Sequence, residues 1–233
     1  MSEQAKHRIA AFDFDGTSIQ GNSPVLLVRR LRRCDMLRKR VISKVLAWGV
    51  AYKLRLPQSE AWVRGQVFTA FAGRPKEAVD AFLSDFYDEE IERPGRFRPQ
   101  AEEAMRRLRA EGVEVLIVSA TFGPIVRRAR LSHPFDGCLC TEMDTDAAGR
   151  YTTQVSGICV EGQGKVRALR AYADERYGKD GWELVEAYGD HHSDIPMLAA
   201  ARRAFAVTPD STLAREARRR GWAVLDWDVS VEK

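Results

Sequence analysis

Short apolar runs alternate with longer segments of helical period along most of the chain, the pattern of strands and crossover helices that builds a parallel sheet. The apolar runs predict strands over Arg8–Phe12, Val113–Val118, Cys138–Thr141, Leu184–Tyr188, Phe205–Val207 and Trp222–Leu225. Between them a 3.6-residue period predicts helices over Gln100–Glu111, Gly123–Leu131, Lys165–Tyr177, Ser193–Ala201 and Ser211–Arg220. Gly112 closes the first of these at the position where helices favour glycine. Arg150–Val160 reads as a hairpin. One stretch breaks the alternation: residues 22–92 offer the helix-like segments Ser23–Arg33, Leu37–Leu54, Gln58–Ala72 and Lys76–Glu90 in succession, with no convincing strand among them.

The expected architecture is α/β, a Rossmann-like parallel sheet core made of residues 1–21 and 93–233 with an inserted all-helical cap domain, 22–92. An insert leaving just after the first strand overhangs the carboxyl ends of the strands, where open α/β sheets bind ligands. The length of 233 residues, with 45% hydrophobic and 30% charged positions, suffices for one core and such an appendage and excludes a disordered tail or a disulfide miniprotein. A net charge of +4 does not call for nucleic acid as a partner. Met1–His7 is polar and shows no export signal, and the longest apolar stretch, Val41–Tyr52, is broken by Lys44 and too short to span a bilayer. A cytoplasmic protein is expected, with Cys34, Cys138, Cys140 and Cys159 reduced and without the paired spacing of a structural zinc site.

The first strand runs into Asp13-Phe14-Asp15-Gly16-Thr17. Two carboxylates two positions apart share one face if strand geometry continues, and together they suit a hard divalent cation. A polar turn after a strand is the alternative, Asp-Gly being a common turn pair. Later strand ends favour a site, since one run stops at Ser119-Ala120-Thr121 and another at Gly189-Asp190, with Ser193-Asp194 close behind. Lys165 opens a helix after Gly162-Gln163-Gly164. His191 and His192 are adjacent, and adjacent side chains in a loop usually diverge, so no transition-metal site is expected there. Asp144-Thr145-Asp146 with Gly149 lacks the ligand set of a calcium loop and reads as a hairpin turn.

Taken in order, these residues resemble the four motifs of the haloacid dehalogenase superfamily of phosphohydrolases. The helical insert, Tyr188-Gly189-Asp190, Ser193-Asp194-Ile195-Pro196-Met197-Leu198 and the lead-in from Gly157 to Lys165 are similar to its phosphoserine-phosphatase-like branch, subfamily IB, including the phosphatidylglycerophosphate phosphatase relatives. The resemblance implies that Asp13 attacks phosphorus to form an aspartyl-phosphate, and that Asp15 protonates the leaving alkoxide and then takes a proton from water. It implies Mg2+ held by Asp13, Asp15 through its backbone carbonyl, and Asp190, with Asp194 orienting Lys165 or a metal-bound water. Ser119, the amide of Ala120, Lys165 and Ser193 would bind phosphate, and Thr17 would support the loop beside it.

In phosphoserine phosphatases a cap glutamate meets the substrate ammonium and a cap arginine its carboxylate. The position of that glutamate corresponds here to Asn22, and only Arg64 and Arg74 lie near the other. The expected substrate is therefore a small or lipid-linked phosphomonoester, with phosphoserine the alternative. A further alternative is an inactive scaffold that binds an anionic partner through its basic cap. That cap carries Arg29, Arg30, Arg32, Arg33, Arg38, Lys39, Arg40 and Lys44 beside Trp48, a stripe suited to peripheral contact with an anionic membrane. The four clustered carboxylates argue against a mere scaffold, because without a cation they destabilise one another.

Overall fold

A computed structural model describes residues 6–36 and 67–228. The strands are β1 (His7–Phe12), β2 (Glu114–Phe122), β3 (Gly137–Thr145), β4 (Tyr151–Ser156), β5 (Trp182–Gly189), β6 (Arg203–Val207) and β7 (Ala223–Leu225). The helices are α1 (Ser23–Arg33), α2 (Lys76–Tyr87), α3 (Pro99–Ala110), α4 (Gly123–Ala129), α5 (Gln163–Tyr177), α6 (Ile195–Ala200) and α7 (Ser211–Arg220), with residues 67–71 also helical. They build a seven-stranded sheet of order β4-β3-β2-β1-β5-β6-β7, parallel except where β3 meets β4.

Period-two alternation explains why the sheet is covered on both faces. Ala10 and Phe12 of β1, with Val115 and Ile117 of β2, point into one apolar cluster, which takes in the inner faces of α1, α2, α3 and α4. Ile9 and Ala11, with Leu116 and Val118, point into another, formed with α5, α6 and α7. The described parts of the insert bury Leu27, Leu31, Phe71, Leu83 and Phe86 in the same cluster as Phe12 and Phe14. β1 pairs with β2 on one side and β5 on the other, so the connections diverge from its carboxyl end. That end is the topological switch point, where a crevice opens between the crossovers.

Several expected boundaries move, each for a tertiary reason. β2 does not stop at Val118 but continues to Phe122, and its pairing with β3 skips from Ser119 to Phe122, leaving Ala120 and Thr121 out of register. β3 runs past Thr141 because its second half pairs with β4, Met143 opposite Val155, which makes the expected hairpin. The helix expected to reach Glu90 leaves α geometry after Tyr87 for a wider π turn, Asp88–Glu92. That turn brings Glu89 to Arg30, at 2.5 Å, and Glu90 to Arg33, tying the returning chain to α1. The helix expected from Ser193 begins instead with a 3-10 turn, His192–Asp194, ahead of α6. The expected helix Leu37–Leu54, most of Gln58–Ala72, and Arg38, Lys39, Arg40, Lys44, Trp48 and Arg64 lie outside the described residues.

Candidate active site

Asp13 is the first residue beyond β1, and its amide still donates to Tyr188 O of β5 at 2.9 Å, so the sheet itself aims the side chain. Ser18 Oγ donates to the Asp13 carbonyl at 2.6 Å and fixes the turn that follows. Gly16 makes that turn possible. Its φ is +74°, and a Cβ there would stand 2.1 Å from the Asp190 carboxylate, so only glycine lets the two loops approach so closely. Thr17, fully buried, donates to Asp190 Oδ1 at 3.1 Å.

Lys165, at the start of α5, is 2% exposed and donates to Asp13 Oδ1 at 2.6 Å and to Asp194 Oδ1 at 2.5 Å. Gly164 allows this placement, since a Cβ there would collide with the Cys159 carbonyl at 1.9 Å. The second oxygen of Asp194 accepts the amides of Asp190 and His191 at 3.2 and 3.1 Å. Asp194 is thus a buried bracket that holds both the lysine and the loop. Burial pushes the Lys165 ammonium toward its neutral form, but the two carboxylates outweigh it and hold its pKa above the ordinary value.

Asp15 points elsewhere. Its carboxylate lies at the N-terminus of α1, where it accepts from the Ser23 amide at 2.5 Å, from Ser23 Oγ at 2.9 Å and from Thr121 Oγ1. Burial raises its pKa against the pull of those hydrogen bonds. Burial also raises Asp13 to about 7, partly offset by Lys165, and lifts Asp190 well above the carboxylate range, with Asp13 adding to the effect.

Asp13, Asp15, Ser119, Ala120, Lys165, Asp190 and Ser193 all line one cleft at the carboxyl edge of the sheet. Thr17 and Asp194 stand behind the cleft wall, bonded to Asp190 and Lys165 respectively. One expected position differs. The Asp15 side chain lies outside the carboxylate group of Asp13, Asp190 and Asp194, whose oxygens come within 4.8 Å of one another. Ser23, Thr121 and Glu161 also line the cleft, and sequence reasoning gave none of them a role. Thr121 carried a readable signal, two places after Ser119 in a polar strand end. Ser23 did not, because its contact with Asp15 depends on how α1 docks.

The outer wall of the cleft is apolar, formed by Pro24, Leu27, Val67, Phe122 and Ile125. Asn22 reaches this wall, but its Oδ1 is engaged as the cap of α1, accepting from the Val25 amide at 3.1 Å. Among the described residues lining the cleft there is no arginine, and Arg74 turns back to donate to Ala70 O.

A family model for haloacid dehalogenase-like hydrolases matches residues 10–199, a span that takes in the whole of this cluster. The chain belongs to that family. Similar proteins include a probable phosphatase of Mycobacterium tuberculosis, 37% identical over 126 residues, or 52% of this chain and 40% of that protein. The chain thus spans less than half the length of the curated relatives it first matches. A phosphoserine phosphatase of the same organism is 28% identical over 230 residues, covering 95% of this chain and 71% of that one. Among solved structures, a protein of unknown function from Bordetella pertussis superposes with a TM-score of 0.80 at 22% identity, over 96% of this chain and all of that one. This family member sets the acidic residues of the matched span at the carboxyl edge of its sheet, with Asn22 capping α1 beside them.

Proposed function

We propose that this chain hydrolyses phosphomonoesters through a covalent intermediate on Asp13. The observation that supports the reading is the Asp13 carboxylate at the switch point, with Lys165 on one side and Asp190 on the other. An Asp13 oxygen attacks phosphorus while the bond to the leaving alkoxide breaks, and Asp15 gives that alkoxide its proton. Water then attacks the aspartyl-phosphate, loses its proton to Asp15, and releases phosphate. Ser119, the Ala120 amide and Lys165 neutralise the equatorial oxygens, the main protein contribution to phosphoryl transfer. Ser193 lines the same cleft. The described parts of the insert act as a cap, giving Pro24, Leu27 and Val67 to the cleft wall.

The donor chemistry fits Mg2+. Buried carboxyls driven upward by desolvation and mutual repulsion are an incomplete electrostatic unit, and hard oxygen donors are what Mg2+ takes. Asp13, Asp190 and the Asp15 carbonyl would hold it, and when bound it supplies charge that brings an anionic nucleophile to an anionic phosphate. The test is turnover of an aryl phosphate in chelator. Activity is expected to vanish and to return with Mg2+ but poorly with Ca2+, whose looser coordination relaxes the in-line geometry. Full turnover in excess chelator would remove the metal from this reading.

For the substrate, the apolar wall and the engaged Asn22 support a small ester whose alcohol carries no amino-acid end. A zwitterion brought here finds no described carboxylate at position 22 and no described arginine, and loses a charge-assisted hydrogen bond worth about 1.5 to 3 kcal/mol. Phosphoserine is expected to show a kcat/KM no higher than that of simple alkyl phosphates. A preference for phosphoserine above about a hundredfold would instead assign the chain its relative's substrate. The lipid-linked version leans on the basic stripe, and there Arg30 and Arg33 are already paired with Glu89 and Glu90 inside the protein. Among the described residues no helix is long and apolar enough to cross a membrane.

A further inference from the structure

Beside the carboxylate cluster, the described residues hold one other group of metal-capable donors, His191, His192 and Asp210, whose donor atoms all lie within 4.8 Å of one another. The adjacent imidazoles do not diverge as neighbours in a loop usually do. Their ring centroids are 4.0 Å apart, and both rings turn to the same oxygen, Asp210 Oδ2, with His192 Nδ1 at 3.1 Å and His191 Nε2 at 3.6 Å.

Asp210 is supplied by a different element and is held in place by backbone. It caps α7 through Oδ1, which accepts from the Thr212 and Leu213 amides at 2.8 and 2.7 Å. Its Oδ2 accepts the His192 amide at 2.8 Å, and its own amide donates to the Asp190 carbonyl at 2.9 Å. The carboxylate is therefore oriented before any ligand arrives.

The spacing suits a small transition ion. Metal–ligand bonds of about 2.0 to 2.1 Å at tetrahedral angles set neighbouring donors about 3.3 Å apart, and the two separations to Asp210 fall on either side of that value. Ser193 Oγ stands 3.0 Å from His191 Nδ1 and the Ser193 amide donates to the same nitrogen at 3.4 Å, so the ring is held with Nε2 toward Asp210. Two imidazoles and a carboxylate favour a borderline ion over Mg2+, which prefers oxygen alone. His192 is 45% exposed at its side chain, which leaves an entry path and an open coordination position.

We propose that His191, His192 and Asp210 form a second metal site, selective for Zn2+ over Mg2+, that clips the loop carrying Asp190 to the start of α7. The site is separate from the carboxylate cluster in chemistry but adjacent to it, since His191 follows Asp190 and lines the same cleft.

The experiment is Zn2+ binding to the full chain in competition with a chromophoric chelator, in a large excess of Mg2+, with the visible spectrum of the Co2+ form as a second readout. Wild type and Asp190→Asn are expected to bind one Zn2+ alike. His192→Ala is expected to weaken binding at least about tenfold and to lose the Co2+ bands of low coordination number, while keeping the wild-type phosphatase rate in zinc-free buffer. Binding that survives His192→Ala unchanged, or that disappears in Asp190→Asn, would put the ion in the carboxylate cluster and overturn the proposal. So would the absence of binding at micromolar Zn2+. The readout is binding, so the result stands whichever ester the chain hydrolyses.

Discussion

Replacing Asp13 with asparagine is expected to bring turnover of an aryl phosphate below about a hundredth of the wild-type rate, with an unchanged circular dichroism spectrum. The carboxamide has nearly the same shape, and its oxygen can still accept from Lys165, so the turn between β1 and α1 keeps its geometry. What it loses is the carboxylate to which the covalent step is assigned. If Asp13 merely acted as a general base, or helped hold a cation, other groups could carry the reaction at reduced rate, because general acid and base effects are worth about 10² to 10⁴ in isolation. A folded variant retaining more than a hundredth of the activity would therefore shift the attack to water and dismiss the covalent intermediate.

Lys165→Met carries the second large effect, and it reads on stability as well as on rate. The ammonium is buried between Asp13 and Asp194, bonded to each. Removing one partner of a buried ion pair leaves uncompensated charge and typically costs about 3 to 5 kcal/mol. The urea midpoint in chelator should fall accordingly, and activity should be lost because phosphate oxygens lose their charged donor. Methionine keeps most of the volume, which separates the electrostatic cost from that of a cavity. A midpoint equal to wild type would mean that the two carboxyls are already neutral in the folded chain and that Lys165 is not held by ion pairing.

The sheet was readable because its strands are buried on both faces and so appear as continuous apolar runs, Ile9 to Phe12 and Val115 to Val118 above all. The site was readable because its residues follow strand ends in a fixed order. The misread boundaries belong to contacts made across the chain. Nothing local indicates that β2 passes Ser119 out of register with β3, or that α2 opens into a π turn to meet Arg30 and Arg33. Asn22 before Ser23-Pro24 carries an ordinary helix-cap signal, which the resemblance to a substrate contact obscured. Asp210 could not have been joined to His191 and His192 from sequence, because the loop before α7 reaches them only after β6 has paired with β5.

The central place of β1 also has a consequence for biosynthesis. Its two neighbours, β2 and β5, are encoded more than a hundred residues downstream, so the strand leaves the ribosome with both hydrogen-bonding edges open. At about 5 to 20 residues per second, the interval between Phe12 and the end of β5 lasts roughly 10 to 35 seconds. β2 is complete part-way through it, after roughly 5 to 20 seconds, and until the end Ile9, Ala10, Ala11 and Phe12 keep at least one edge unpaired, the kind of apolar β segment that aggregates or engages a chaperone. The residues that lead into Asp13 in the finished protein are thus, on the nascent chain, among those with the longest wait for a partner.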